Sequence, residues 1–357
     1  MNNFIKNQIF SSQMQPSQSP IFVSGATGYL AAHIIKLLLE QGHKVRGSVR
    51  SLLNTAKSQF LYDLVPEKKA NLELVEAELT DSKSWISALS GCEYVLHVAS
   101  PIPPYVPKDE NEIIKPAVEG TLNVLNAALV NKCKKVVVTS SGLSIAAGNN
   151  GKLCTEDDWA DLTKISHYPK SKVLAEKAAW EFYEAHKGEI QMTVVNPSLI
   201  LGPGLSVHGN ASEILVAELL NGNFPAIPDY AIGFKIVDVR DAAIGEIKAL
   251  FTEGTNGKRI MLTSDGNLFF TDLVRILKEE FGKFGYKLPE KVASKEEIMQ
   301  SGNAVAIRTV GYGPMMMEIS NERSVKELGM KYREWKETLL EMGYAMIKNG
   351  VVANKLN

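Results

Sequence analysis

Residues 21–42 read IFVSGATGYLAAHIIKLLLEQG. The apolar triplet at 21–23 suits a short buried strand. Gly25 and Gly28 punctuate a turn, residues 30–40 carry the apolar periodicity of a helix, and Gly42 closes it. KVRGSVR, residues 44–50, follows as a second strand. Strand, glycine turn, helix and strand make a βαβ unit. Glycines allow tight backbone geometry and close approach of a pyrophosphate, and the positive end of the helix faces that phosphate. The stretch therefore predicts a dinucleotide site built from Gly25, Thr27, Gly28, Tyr29 and Leu30, with Ala31 as the third small position.

The same alternation continues outward. NLELVEAEL (71–79), YVLHVAS (94–100) and KKVVVTSS (134–141) read as further strands, and MTVVNPSLILGPG (192–204) as a sixth strand with its turn. Helices are expected over 81–90, over 114–130 with Pro116 in its first turn, and from Tyr168 onward. Repeated βα alternation predicts an α/β fold, a Rossmann-type doubly wound parallel sheet. Beyond residue 197 glycine, proline and aromatics mix. Residues 20–197 are thus assigned to the nucleotide domain, and 198–357 to a smaller, mainly substrate-binding region with some segments returning to the sheet. Residues 1–19, rich in Asn, Gln, Ser and Pro, are expected to form a flexible tail.

Composition narrows the function classes. The chain has 357 residues, 45% of them apolar, and a net charge of −1, which offers no basic footprint for nucleic acid. No apolar run of about 18 residues predicts a membrane span. Three cysteines without metal-ligand spacing argue against a zinc site or a disulfide framework and fit a cytoplasmic location.

The end of the second strand selects the nucleotide. An NAD site places an acid there to bind ribose hydroxyls. Here the strand ends VRGSVRS, with Arg50 in that place and Lys57 beyond it, a pairing suited to the 2′-phosphate of NADP. Arg46 shares the face of Arg50 but lies earlier in the strand. Glu78 and Leu79 after the third strand, and Val98, Ala99 and Ser100 after the fourth, are placed to border the nucleotide.

SHYPKSKVLAEKAAWEF, residues 166–182, puts Tyr168 and Lys172 four apart on one helix face. Pro169 belongs in a first helical turn and turns Tyr168 away from helical geometry, which predicts Tyr168 at the cap. Leu174, Ala178 and Phe182 form the expected core stripe. An exposed Lys172–Glu176 ion pair is the competing reading of the helix. A free tyrosine titrates near pH 10 and a neighbouring ammonium favours its phenolate, so the pair suits proton exchange with a carbonyl oxygen. Phe224, Tyr230, Phe234, Pro101, Ile102 and Leu205 are candidates for a substrate cavity, and Asp238 and Asp241 for helix capping or pairing with Arg240.

FVSGATGYLAAHI, SVRS, HVASP, VVVTSSG, YPKSKVLAEKAAWEF, NPSLILGPG and VDVRDAA together resemble the extended short-chain dehydrogenase/reductases. The likeness covers about residues 20–345 and is strongest to the dihydroflavonol reductase-like branch, which includes cinnamoyl-CoA reductases and fungal carbonyl or methylglyoxal reductases. The resemblance implies a catalytic trio of Ser141, Tyr168 and Lys172, with Ser140 as the alternative serine. In it Tyr168 is the proton donor, Lys172 lowers its pKa and binds the nicotinamide ribose, and Ser141 orients the carbonyl. It also implies cofactor contacts from Asn196, Pro197 and Ser198, an NADPH-dependent reduction of an aldehyde or ketone, and a monomer, with a homodimer as the alternative. Two positions depart from the pattern. Glu78 stands where Asp is common. Ala146 stands where flavonoid reductases carry an asparagine that grips the polyhydroxylated ring, which argues for a smaller or less polar carbonyl. Competing readings are a hydroxysteroid-type dehydrogenase, a nucleotide-sugar epimerase or a non-enzymatic dinucleotide sensor.

Overall fold

The computed structural model describes residues 19–101, 109–207, 211–311 and 313–356. The expected tail at 1–19 and the candidate lining residue Ile102 fall outside these, apart from residue 19. Seven parallel strands form the main sheet: β1 (Ile21–Val23), β2 (Val45–Val49), β3 (Leu72–Glu76), β4 (Tyr94–His97), β5 (Lys135–Thr139), β6 (Gln191–Pro197) and, after two short strands β7 (Leu199–Leu201) and β8 (Ile236–Asp238), β9 (Lys258–Leu262). Their spatial order is β9-β6-β5-β4-β1-β2-β3, so the chain reverses direction across the sheet between β1 and β4. A crevice opens at such a switch point, beyond the carboxyl ends of the strands.

Helices cover both faces. They are α1 (Tyr29–Glu40), α2 (Thr55–Asp63), α3 (Ser82–Ala88), α4 (Asn111–Val130), α5 (His167–Ala185) and α6 (Val239–Phe251). One core gathers Ile34, Ile35 and Leu38 of α1 with Ile244 and Ile247 of α6 beneath β1, β2 and β9. The opposite core packs Val124 and Leu125 of α4 and Ala179 of α5 against Val136, Val138 and Val194. Each fully buried aliphatic side chain contributes ~1.5–3 kcal/mol, so these two layers hold the sheet rigid. The β5 strand is apolar on both faces because both faces are covered.

The region beyond β7 forms a third core around Phe224, Phe234, Phe270 and Phe281 with α7 (Phe270–Phe281) and α8 (Trp335–Lys348). Segments from it rejoin the sheet, since β9 pairs with β6 and α6 packs on α1. Helix α4 starts three residues earlier than periodicity suggested. The Asp109 carboxylate accepts the Asn111 N–H at 2.9 Å and initiates the turn there, leaving Pro116 inside the helix rather than in its first turn.

Candidate active site

The glycine turn is built to stay open. Gly25 has φ +66°, and a Cβ on it would lie 3.1 Å from the Ala99 Cβ. The Gly28 N–H donates to Gly25 O at 2.8 Å, and the Gly25 N–H donates to Ser48 Oγ at 2.9 Å. Ser24 ties this turn to the end of β4. Its hydroxyl oxygen accepts the Val98 and Ala99 N–H groups, both at 2.9 Å, and lies 3.0 Å from His97 Nδ1. With two donors already on the oxygen, the hydroxyl proton goes to His97 Nδ1. Burial and the nearby Lys172 ammonium push the His97 imidazole down to about 3, so it stays neutral. The first amides of α1 have no partner within the helix and sit directly after this turn. Leu30 places its side chain in the core, leaving its backbone for the phosphate side. The Tyr29 hydroxyl donates to Gly202 O at 2.5 Å and thereby joins the turn to the segment after β7. A turn in which a Cβ at Gly25 would crowd Ala99, followed directly by the first amides of α1, fits the pyrophosphate of a dinucleotide.

Arg50 is exposed directly after β2, and Lys57 is exposed in the first turn of α2. Arg46 is engaged elsewhere: its guanidinium donates to Glu73 Oε2 at 2.8 Å and to Ser90 O at 2.6 Å. The Glu78 carboxylate accepts the Leu79 N–H at 2.9 Å, while Leu79 O accepts from Asn123 Nδ2 at 2.9 Å. That loop is therefore fixed at the sheet edge, with Glu78 exposed.

At the end of β5 the chain turns through Ser140 and Ser141 beneath the start of α5. The helix begins at His167 and its N-cap is Ser166 in extended geometry. Tyr168 is thus the second helical residue, not the cap, with Pro169 still in the first turn where its missing N–H costs little. Lys172, one turn on, is buried. Its ammonium donates to Thr139 O at 3.2 Å and to Ser100 Oγ at 3.3 Å, bridging the ends of β4 and β5. Burial pulls the Lys172 amine down to about 8, while the carboxylates of Glu176 and Glu246 oppose that shift.

The two serines differ in their surroundings. Ser140 is buried and its hydroxyl donates to Glu176 Oε2 at 2.5 Å. Ser141 is half-buried, and its Oγ accepts the Leu143 N–H at 3.2 Å. Asn196, at the end of β6, donates to Glu176 Oε2 at 2.9 Å and to Ser144 Oγ at 3.0 Å. Pro197 O accepts the Gly142 N–H at 2.7 Å and holds the serine turn against β6. Asn196 Oδ1 and Ser198 Oγ are buried and find no hydrogen-bond partner among the described residues. Orphaned polar atoms at a strand end suit a polar ligand group.

The fully buried face of α5 includes Val173, Glu176, Ala179 and Tyr183; of the expected stripe, Leu174 and Ala178 are half-buried and Phe182 packs on the edge of that core. The pattern misled because Glu176 is on the buried face. It is paired there with Arg259 of β9, Nε to Oε1 at 2.6 Å, and not with Lys172 at the surface. Asp238 caps α6, accepting the Arg240 N–H at 2.8 Å, and pairs with the Arg240 side chain, whereas Asp241 pairs with Arg333. Phe224 packs against Phe270 in the third core, centroids 5.1 Å apart and rings tilted by 40°, and Phe234 is buried with it. Tyr230 donates to Val310 O at 3.0 Å. Leu205 lies by the glycine turn, in a small pocket with Thr27, Tyr29 and Phe60. Ala146 sits in an apolar cluster with Ile145, Met261 and Met317, beside Leu143 and Met315. The run MMM at 315–317 supplies Met315 and Met317, and Met261 comes from β9.

No helix among the described residues is long and apolar enough to cross a membrane, and no group of metal-ligating side chains occurs among them. The description "NAD dependent epimerase/dehydratase family" matches residues 21–227. Over 325 residues the chain is 32% identical to a cinnamoyl-CoA reductase of Medicago truncatula, an alignment spanning 87% of this chain and 96% of that one. It is 31% identical over 305 residues to an anthocyanidin reductase of Arabidopsis thaliana, spanning 78% and 88%. The fold is similar to that of the yeast methylglyoxal/isovaleraldehyde reductase Gre2 complexed with NADPH. The TM-score is 0.76 at 26% identity, over 93% of this chain and 99% of that one.

Proposed function

We propose that this chain, which belongs to the NAD dependent epimerase/dehydratase family, performs its chemistry through Tyr168, Lys172 and Ser141. It is an oxidoreductase that uses NADP(H) and acts on small-molecule carbonyls, as its cinnamoyl-CoA reductase, anthocyanidin reductase and Gre2 relatives indicate. The observation that carries the site assignment is the buried Lys172 ammonium at the joined ends of β4 and β5, beside the glycine cradle. The bound nicotinamide supplies the hydride. Tyr168 donates the proton to the carbonyl oxygen and takes one back in the reverse direction. Lys172 supplies the positive charge that favours the tyrosinate and hydrogen-bonds the nicotinamide ribose. Ser141, whose hydroxyl proton is not used by the Leu143 N–H, donates to the carbonyl oxygen as negative charge develops. Ser140 is the poorer choice because Glu176 already takes its proton.

Gly25, Thr27, Gly28, Tyr29 and Leu30 hold the pyrophosphate, Glu78 and Leu79 border the adenine, and Val98 to Ser100 with Asn196 to Ser198 line the nicotinamide half. Arg50 and Lys57 bind the 2′-phosphate. Arg50→Ala is expected to raise the KM for NADPH about 10- to 100-fold, the loss of one charge-assisted hydrogen bond, with the KM for NADH changed less than about twofold. Equal losses for the two cofactors in steady-state kinetics count against the phosphate contact.

The apolar setting of Ala146, among Met261, Met315 and Met317, favours a small or weakly polar aldehyde or ketone over a polyhydroxylated flavonoid. A panel of aldehydes, diketones, ketones and flavonoids, followed by NADPH oxidation, is expected to give kcat/KM at least about tenfold higher for the first three classes. A flavonoid preference reverses the substrate assignment. We assign residues 20–197 to the cofactor and the later region mainly to substrate, in a monomer of a reducing, cytoplasmic compartment. The buried free thiols of Cys92, Cys133 and Cys154 support that placement.

A further inference from the structure

Glu246 is a buried acid that the mechanism does not use. Glu246, on α6, is fully buried and lies on the face of the sheet opposite α5. Its Oε1 accepts the Thr139 hydroxyl at 2.6 Å, and its Oε2 has no hydrogen-bond partner among the described residues. The carbonyl of that same Thr139 accepts from Lys172 Nζ at 3.2 Å. One residue of β5 therefore joins a carboxyl on one face to the ammonium on the other. An acid held at this depth by a single hydrogen bond has a large desolvation cost, and core packing alone gives no reason for it.

We propose that Glu246 is a positioning residue for the proton transfer: through Thr139 it supplies the countercharge that keeps the Lys172 side chain an ammonium as the pH rises. The proposal rests on the assignment of Tyr168 and Lys172 given above. The groups acting on the pair are few. Around Lys172 lie Tyr168 and Glu176 on its own helix, neutral His97 and Ser100 at the end of β4, Thr139 on β5 and Glu246 on α6. Glu176, though paired with Arg259, also favours the Lys172 ammonium, and more strongly than Glu246 does. Lys172 is the one charged side chain among the described residues whose field reaches Glu246. Lys135, on the same strand as Thr139, points to the other end and donates to Ala249 O and Thr255 Oγ1, each at 2.6 Å.

The sign follows from these neighbours. Burial raises the Glu246 carboxyl to about 8, against the opposing effects of Thr139 and Lys172. Burial lowers Lys172 to about 8, against Glu176 and Glu246. Two opposite charges with overlapping titrations act as a pair. In acid, Glu246 is protonated and Lys172 charged. As the pH rises, the Lys172 ammonium favours ionisation of Glu246. That carboxylate then makes Lys172 hold its own proton to higher pH.

Glu246→Gln keeps the shape and removes the charge. The alkaline limb of kcat for carbonyl reduction is expected to move down by about one pH unit, so the ratio of variant to wild-type kcat falls about tenfold across that limb. Thr139→Val removes only the hydroxyl that stabilises the carboxylate and is expected to shift the limb the same way by less. Infrared spectra of the wild-type protein are expected to show a protonated carboxylic acid near pH 6 that ionises over the same range and is missing from E246Q. A loss in E246Q that is uniform with pH, or an unmoved limb in both variants, overturns the proposal. Lys172→Met separates it from its premise. If K172M retains turnover, the assignment of Lys172 itself fails. If K172M is inactive and the E246Q limb is unmoved, only the role of Glu246 fails.

Discussion

Tyr168→Phe is expected to lower kcat roughly 100- to 10,000-fold while leaving the Kd for NADPH within about threefold of wild type. The substitution removes one oxygen from a half-buried residue in the first turn of α5. The fold gives no reason for a structural collapse. Ser166 still occupies the N-cap position in extended geometry, Pro169 remains buried, and the contact of Ser171 Oγ with Tyr168 O at 2.8 Å uses only the Tyr168 backbone. In the proposed site the nucleotide rests on Gly25, Gly28, Arg50 and Lys172, none of which is substituted. What disappears is the proton donor to the carbonyl oxygen. Ser141 and water cannot replace it at comparable rate, since a hydroxyl without an adjacent ammonium is a much weaker acid catalyst. Titrating NADPH by fluorescence and measuring single turnovers separates binding from chemistry. Turnover within about threefold of wild type removes Tyr168 from the mechanism.

The chain announced part of this site openly and concealed the rest, and the division has a physical cause. Gly25, Gly28 and Arg50 enter the proposed site through local geometry. A positive φ, a turn and a strand end are all set within a few residues, so a linear reading finds them. Tyr168 and Lys172 share a helix turn and are legible for the same reason. The cap at Ser166 was one such local detail misread, because the proline effect on Tyr168 outweighed the serine two residues before it. Glu176, Arg259 and Glu246 are different. Glu176 meets Arg259 across 83 residues, and Thr139 meets Glu246 across 107. In the sequence each is a charge on a helix or strand, and such charges are usually solvated. Only the folding of α5 and α6 onto opposite faces of one sheet brings them beneath the active-site turn.

Arg259→Met is expected to destabilise the folded protein by ~3–5 kcal/mol, because it strands a fully buried carboxylate. Arg259 makes more than one contact: its Nε pairs with Glu176 Oε1 at 2.6 Å, its Nη1 donates to Glu156 O at 2.9 Å, and its guanidinium lies 4.0 Å from the Trp159 ring centroid. Glu176 in turn gathers Ser140, Ser144 and Asn196 on its other oxygen. With Arg259 gone, those three donors and the Trp180 indole N–H, 3.3 Å from Glu176 Oε1, must balance the charge of a buried carboxylate. Urea unfolding of R259M therefore should show a lower midpoint, and the variant that remains folded should turn over more slowly, because Glu176, which holds Asn196 and the serine turn, loses its own anchor. The double change E176M/R259M tests the account further. Replacing a buried pair by apolar groups of similar volume is often neutral for stability, so the double variant should recover most of the lost free energy. Its kcat should stay low, since Ser140 and Asn196 still lack the carboxylate that orients them. A single-variant loss below about 1 kcal/mol means that water reaches Glu176. A double variant with wild-type kcat means that the network under β5 and β6 supports the fold without orienting the site.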